Sequence, residues 1–175
     1  FMLHQVAFLR DINVSDAMAA AAYSTFVGIS AVGRLGLGFL GLKYPIRHLA
    51  IIATFLMISG LTLFLWADTL TMVFICNCMV GIGMGATYVA FMSILPLYFG
   101  KTHYPKIIGY SMPFLTIIGA LGSPATGWIR DVTGSYMLAW KLAILVLVIG
   151  LFAILLARSP IHPSLKKDPA ASIAA

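Results

Sequence analysis

The sequence contains no glutamate, and its five acidic residues (Asp11, Asp16, Asp68, Asp131 and Asp168) are all aspartate. Charged residues of both signs make up only 9% of the chain, against about 25% in a typical soluble domain. That excludes a water-soluble globular fold, because too little charge is present to cover its surface. Each aspartate falls in a predicted loop, tail or helix end, so the apolar segments hold no carboxylate to act as an embedded acid or metal ligand. Cysteine is nearly absent too. Cys76 and Cys78 form a C-x-C within an apolar run, a spacing that fits neither a zinc nor a redox C-x-x-C motif, and no histidine lies nearby. Both read as buried, inert thiols. The four histidines, His4, His48, His103 and His162, are scattered, and no Ser/His/Asp set shares a helix face. An integral-membrane enzyme is therefore the weaker rival reading, and no metal or cofactor is expected. The net charge of +6 comes from basic residues dispersed in pairs at helix ends, which argues against a phosphate-binding patch and a nucleic-acid partner.

What the chain does have is apolar length. It is 61% hydrophobic with a mean hydropathy of +1.02, and its apolar runs reach the roughly 20 residues that a membrane-spanning helix needs. The reading is an all-α, polytopic membrane bundle over residues 1–157, followed by a disordered tail over 158–175. Complete spans are expected over about 17–42, 49–66, 70–99, 107–129 and 136–157. The apolar run 1–9 is too short to cross, starts at Phe1 rather than Met and lacks signal-peptide features. It reads as the far end of a helix, and the chain as a fragment. Ser15 or Asp16 can cap the next helix, and Pro45 is expected to fall in the loop 43–48.

Alternate loops carry Lys43 and Arg47, then Lys101 and Lys106, then Arg158, Lys166 and Lys167 in the tail. The positive-inside rule places these, and the C-terminus, in the cytoplasm. Trp66, Tyr98, Tyr104, Trp128, Tyr136 and Trp140 fall near span ends, as interfacial aromatics do. Small residues predict close helix packing: Ser24, Gly28, Ala31 and Gly38 in the first complete span, Gly81 and Gly85 in the third, and Gly119, Ser123 and Gly127 in the fourth. Gly81–Ala86, GIGMGA, lacks the G-x-G-x-x-G spacing of a nucleotide loop and reads as a packing surface. Pro113 and Pro124 interrupt the fourth span and predict kinks of the kind found in gates.

Two motifs carry a family resemblance. The first is Gly33-Arg34-x-x-x-Gly38-x-Leu40 leading into Lys43 and Arg47. It resembles the second copy of the cytoplasmic loop motif of the major facilitator superfamily, with Leu42, Pro45 and Ile46 standing where that motif has Asp, Gly and a basic residue. The second runs from Gly119 through Pro124, Gly127, Asp131 and Gly134 to Tyr136. It resembles the end of the eleventh helix in the superfamily's monocarboxylate-porter and oxalate/formate-antiporter branch. The resemblance implies the C-terminal six-helix half of such a transporter, from the end of its seventh helix to its twelfth. The partner would then be the absent N-terminal half of the same protein, within a bacterial inner (plasma) membrane.

A charge inside a membrane helix costs about 2.5–3.5 kcal/mol or more, so Arg34 demands an explanation. It can snorkel to the cytoplasmic interface or face the central cavity and bind an anion bidentately. In the branch it resembles, an arginine here is held to bind substrate carboxylate; Ser30 stands where some members carry an aspartate. Ser30, Asn77, Tyr88 and Ser111, with Thr116, are candidate polar groups lining the cavity. Gly33, Gly38, Lys43, Arg47, Pro113 and Pro124 are candidates for gating, and His4 is a candidate proton carrier. The function expected is secondary active transport of a small organic anion by alternating access. A carrier of another substrate class, such as a drug or sugar, is the alternative, and a non-transporting sensor on the same fold a further one.

Overall fold

A computed structural model of the protein describes residues 2–11, 14–100 and 102–157, without the side chains of 2–4 and 11. The proposed tail, with Arg158, Lys166 and Lys167, and Lys101 lie outside the described residues, as does the side chain of His4. Among the described residues every regular element is a helix: α1 (Met2–Asp11), α2 (Asp16–Leu40), α3 (Ile46–Phe64), α4 (Leu70–Phe99), α5 (Tyr104–Thr133) and α6 (Met137–Leu156). The last five are long and apolar enough to cross a membrane. The fold is an all-α membrane bundle.

Local chemistry sets the helix ends. Ser15 caps α2 and Thr69 caps α4, each side-chain oxygen accepting a backbone N–H three residues on, from Met18 and Met72. Pro45 does not sit mid-loop. With φ fixed at −58° it is the residue from which α3 starts at Ile46, three residues before the expected Leu49. Arg47 and His48 therefore belong to the first turn of α3. α5 likewise extends past the expected 107–129, because Pro105 suits its first turn and Gly134, at φ +70°, stops it only after Thr133. Arg130 and Asp131, expected in a turn, are helical.

α4 is the spine. α2 and α3 pack along opposite faces of it, and α6 packs on α3. The glycines of GIGMGA explain how. Gly81 and Gly85, four residues apart, face α2, where an added Cβ would collide with the Phe26 and Ser30 carbonyls. Gly83, half a turn away, faces α3, where it would meet the Ala53 carbonyl and Met57. The sequence is thus a packing surface with two sides, and close backbone approach replaces hydrophobic drive in lipid.

On α2 the tight face differs from the one expected. A Cβ added at Gly28 or Gly38 would meet nothing within 4 Å. The buried stripe is instead Phe26, Ser30, Gly33 and Leu37, with Gly33 against the Ile82 backbone. On α5 a Cβ added at Gly119 would meet nothing within 4 Å, and the helix has no fully buried residue.

Near the other end, Phe8, Phe64, Tyr136 and Trp140 form an aromatic cluster, with Trp140 edge-on to Phe64 at 6.0 Å and to Phe8 at 6.4 Å. Trp140 is 2% exposed and Tyr136 5%. Neither is the interfacial anchor its position near a span end suggested; Trp66 and Trp128 remain exposed. Cys76 is buried in the same cluster, and both cysteines are free.

Candidate functional site

Arg34 lies six residues before the end of α2, about 9 Å along the axis from that end. The residues that fix it are beneath it. Ser30, one turn back, is buried and donates its hydroxyl to the Val27 carbonyl at 2.7 Å. Gly33 holds α2 on the Ile82 backbone, and a Cβ at Gly85 would meet both the Ser30 carbonyl and the Arg34 amide. Arg34 itself is on the open side of the helix. Its guanidinium carbon sits 5.4 Å from the centroid of the Tyr88 ring on α4, a cation–π contact. The ion pair of Arg10 with Asp16, at 2.7 Å on exposed side chains, lies at the opposite end of α2, and among the described residues no carboxylate is paired with Arg34. Tyr88 is 53% exposed.

The structure thus brings together three of the expected site residues: Arg34, Ser30 and Tyr88. Ser30 contributes position, since its hydroxyl is already used within its own helix. Asn77 is elsewhere and fully buried, accepting from the Gln5 side-chain amide on α1 and donating to the Ala22 carbonyl at 2.9 Å on α2. That arrangement ties three helices together and leaves Asn77 facing no open surface. Ser111 is half-buried on α5 and Thr116 returns its hydroxyl to the Met112 carbonyl at 2.9 Å.

The loop-motif residues also separate. Gly38 and Lys43 are exposed. Arg47, by contrast, reaches across the bundle to the last turn of α6, donating Nη2 to the Leu155 carbonyl at 2.7 Å and Nε to Ile154 at 3.3 Å. Carbonyls at a helix C-terminus lack intrahelical donors and carry partial negative charge. Arg47 supplies both a donor and a positive charge to them. Pro113 and Pro124 both lie inside the continuous α5.

Sequence reasoning passed over two features. Gln5, the partner of Asn77, lies in a run read only as a stub. The second is a cavity of about 480 Å³ among α3, α4, α5 and α6, lined on α4 by Met84, Thr87, Tyr88, Phe91 and Met92. Those positions recur at i, i+3, i+4, i+7 and i+8, so the helical face was present in the sequence. Nothing in it distinguishes a cavity wall from a core stripe.

The chain is 29% identical over 150 residues to monocarboxylate transporter 13 of Rattus norvegicus and 31% identical over 150 residues to that of Bos taurus, covering 85% of this chain in each case. It spans about 35% of the length of these curated relatives. Both are mammalian, so the expected bacterial origin finds no support in them. No solved structure matches. The model of the Major Facilitator Superfamily matches residues 1–174, essentially the whole length over which the six helices are laid out, and the chain belongs to that superfamily.

Proposed function

We propose that this chain forms the C-terminal half of a secondary transporter for a small organic anion, working with an N-terminal six-helix half by alternating access. No covalent bond is made or broken in that cycle. The observation that carries the reading is Arg34: a cation inside a spanning helix, about 9 Å from its end, held over Tyr88 with no carboxylate opposite it among the described residues. An uncompensated charge at that depth calls for an anion, and a planar guanidinium suits a carboxylate through two parallel hydrogen bonds. Tyr88 holds the guanidinium while leaving its edge free to donate. The names of the relatives point to the same substrate class. Orientation follows from charge: the end carrying Lys43, Arg47 and Lys106, where α6 also terminates, is cytoplasmic by the positive-inside rule.

The test is uptake of labelled lactate, pyruvate, formate and oxalate into liposomes holding the full-length protein, comparing wild type with Arg34→Gln at equal incorporation. Loss of uptake in the variant, with partial recovery in Arg34→Lys, is expected. Unchanged uptake would reduce Arg34 to a structural brace stacked on Tyr88 and leave only the family assignment.

A further inference from the structure

The cavity beside Tyr88 is far larger than a short-chain acid requires. At about 480 Å³ it falls in the ~300–1,000 Å³ range of sites that enclose drug-sized ligands. Even at ~30 Å³ per non-hydrogen atom, the share of one water in the liquid, pyruvate would leave more than half of it empty. Its wall is soft and apolar. Met57, Met84, Met92 and Met112 contribute thioethers, and Phe91 adds a ring. Thioethers adapt to irregular shapes and make favourable contacts with aromatic ring edges.

The threonines of the wall add little polarity: Thr54 and Thr116 donate their hydroxyls to the Ala50 and Met112 carbonyls of their own helices, and Thr87 Oγ1 is itself buried. Tyr88 belongs to both environments: it lines the cavity and its ring carries the Arg34 guanidinium. An anion-binding group and an apolar chamber therefore share one side chain.

We infer that the carried anion is amphipathic: a monoacid with an aromatic or branched apolar body. Its carboxylate meets Arg34, and its body fills the methionine-lined chamber beside Tyr88. This rests on the Arg34 reading above and narrows it. Formate and oxalate offer no apolar body and gain nothing from the chamber.

The experiment uses the full-length protein in liposomes and measures uptake of labelled phenylpyruvate, 4-methyl-2-oxopentanoate, pyruvate and formate. Met112→Trp and Thr116→Trp fill the chamber from α5, whose Met112 and Thr116 line it. Wild type should favour the two larger acids by about tenfold or more over formate, the range an apolar pocket supplies. Each Trp variant should lower uptake of the larger acids by about tenfold relative to pyruvate. Arg34→Gln should abolish all of it. A diazirine-bearing phenylpropionate should label the α4 segment Met84–Met92 in wild type, with protection by excess phenylpyruvate. If the Trp variants depress every acid equally, if wild type favours the smallest acids, or if no protectable label appears, the amphipathic assignment is overturned and the Arg34 reading survives. If Arg34→Gln leaves uptake intact, or no acid is carried, both fall.

Discussion

Gly85→Ala is the smallest change that should separate the packing of this bundle from its function. A Cβ there would lie 2.9 Å from the Ser30 carbonyl carbon and 3.1 Å from the Arg34 amide nitrogen, against an ordinary contact that begins at 3.4 Å, and the Ser30 oxygen would be closer still. All three are backbone atoms of α2, so no side-chain rotation relieves the clash. α2 must move off α4 by on the order of 1 Å, and overpacking of this kind costs about 1–3 kcal/mol. At roughly 2–4 °C per kcal/mol for a chain of this size, thermal stability should fall by about 2–12 °C. The displaced turn is the one that carries Arg34 over Tyr88. Since a ~1 Å misplacement of a positioning group can cost ~100-fold, uptake should fall by about 10- to 100-fold per folded molecule.

Gly38→Ala is the matched control. It lies on the same helix with nothing within 4 Å of its Cβ, and exchanging glycine for alanine in a helix gains about 1 kcal/mol of propensity. It should be neutral or slightly stabilising, with uptake unchanged. The assay is the fraction of full-length protein remaining monodisperse in detergent after stepped heating, followed by uptake normalised to that fraction. Equal losses in the two variants, or none in Gly85→Ala, would refute the claim that backbone contact at Gly85 sets the position of Arg34.

Two further changes test contacts that the sequence did not announce. Asn77→Leu leaves the Gln5 amide buried without its partner and removes a second donor from the Ala22 carbonyl, and should destabilise by about 1–3 kcal/mol, read as a lower midpoint in the same heating assay; adding Gln5→Leu should recover part of that loss, whereas simple additivity would mean the two side chains do not act together. Arg47→Ala removes both donors from the last turn of α6 and should cost about 1–2 kcal/mol, with faster hydrogen–deuterium exchange confined to 151–157; Arg47→Lys, which cannot bridge two carbonyls in a fork, should fall between the two.

Much of the architecture was legible because a bilayer leaves the chain few options. Backbone groups in lipid must be satisfied within the helix, so the apolar run 70–99 and the capping residue Ser15 were nearly sufficient to place their elements. Proline misled at 45 because its effect depends on direction: it hinders a helix from continuing through it yet suits the start of the next. Helix faces were harder. Gly28, Gly33 and Gly38 all lie on α2, and only the partner's shape decides that Gly33 is the one pressed against Ile82. Trp140 and Tyr136 carry the composition of an interface and the packing of a core, since Phe8 and Phe64 arrive from helices far away in sequence. At the site, Arg34 stood out because an embedded charge is costly wherever it points. Tyr88 emerged only as one of several polar candidates, and Gln5 not at all, because a hydrogen-bond partner 72 residues away leaves no local trace.

The position of α5 connects these observations. Within this chain it has no buried residue and two internal prolines, which leaves its outer surface open to lipid or to the proposed N-terminal half. Yet Met112, Leu115 and Thr116 of this helix form one wall of the cavity whose opposite wall, α4, is clamped on both sides by glycine-mediated contacts to α2 and α3. A movement of α5 would therefore change the volume of the chamber while Tyr88 and Arg34 stayed in register on the rigid pair α2–α4. On this arrangement the charge-binding group is fixed and the apolar wall is adjustable. Selection by size would then reside in α5 and selection by charge in α2, so substitutions on the two helices should alter different properties of the carried acid.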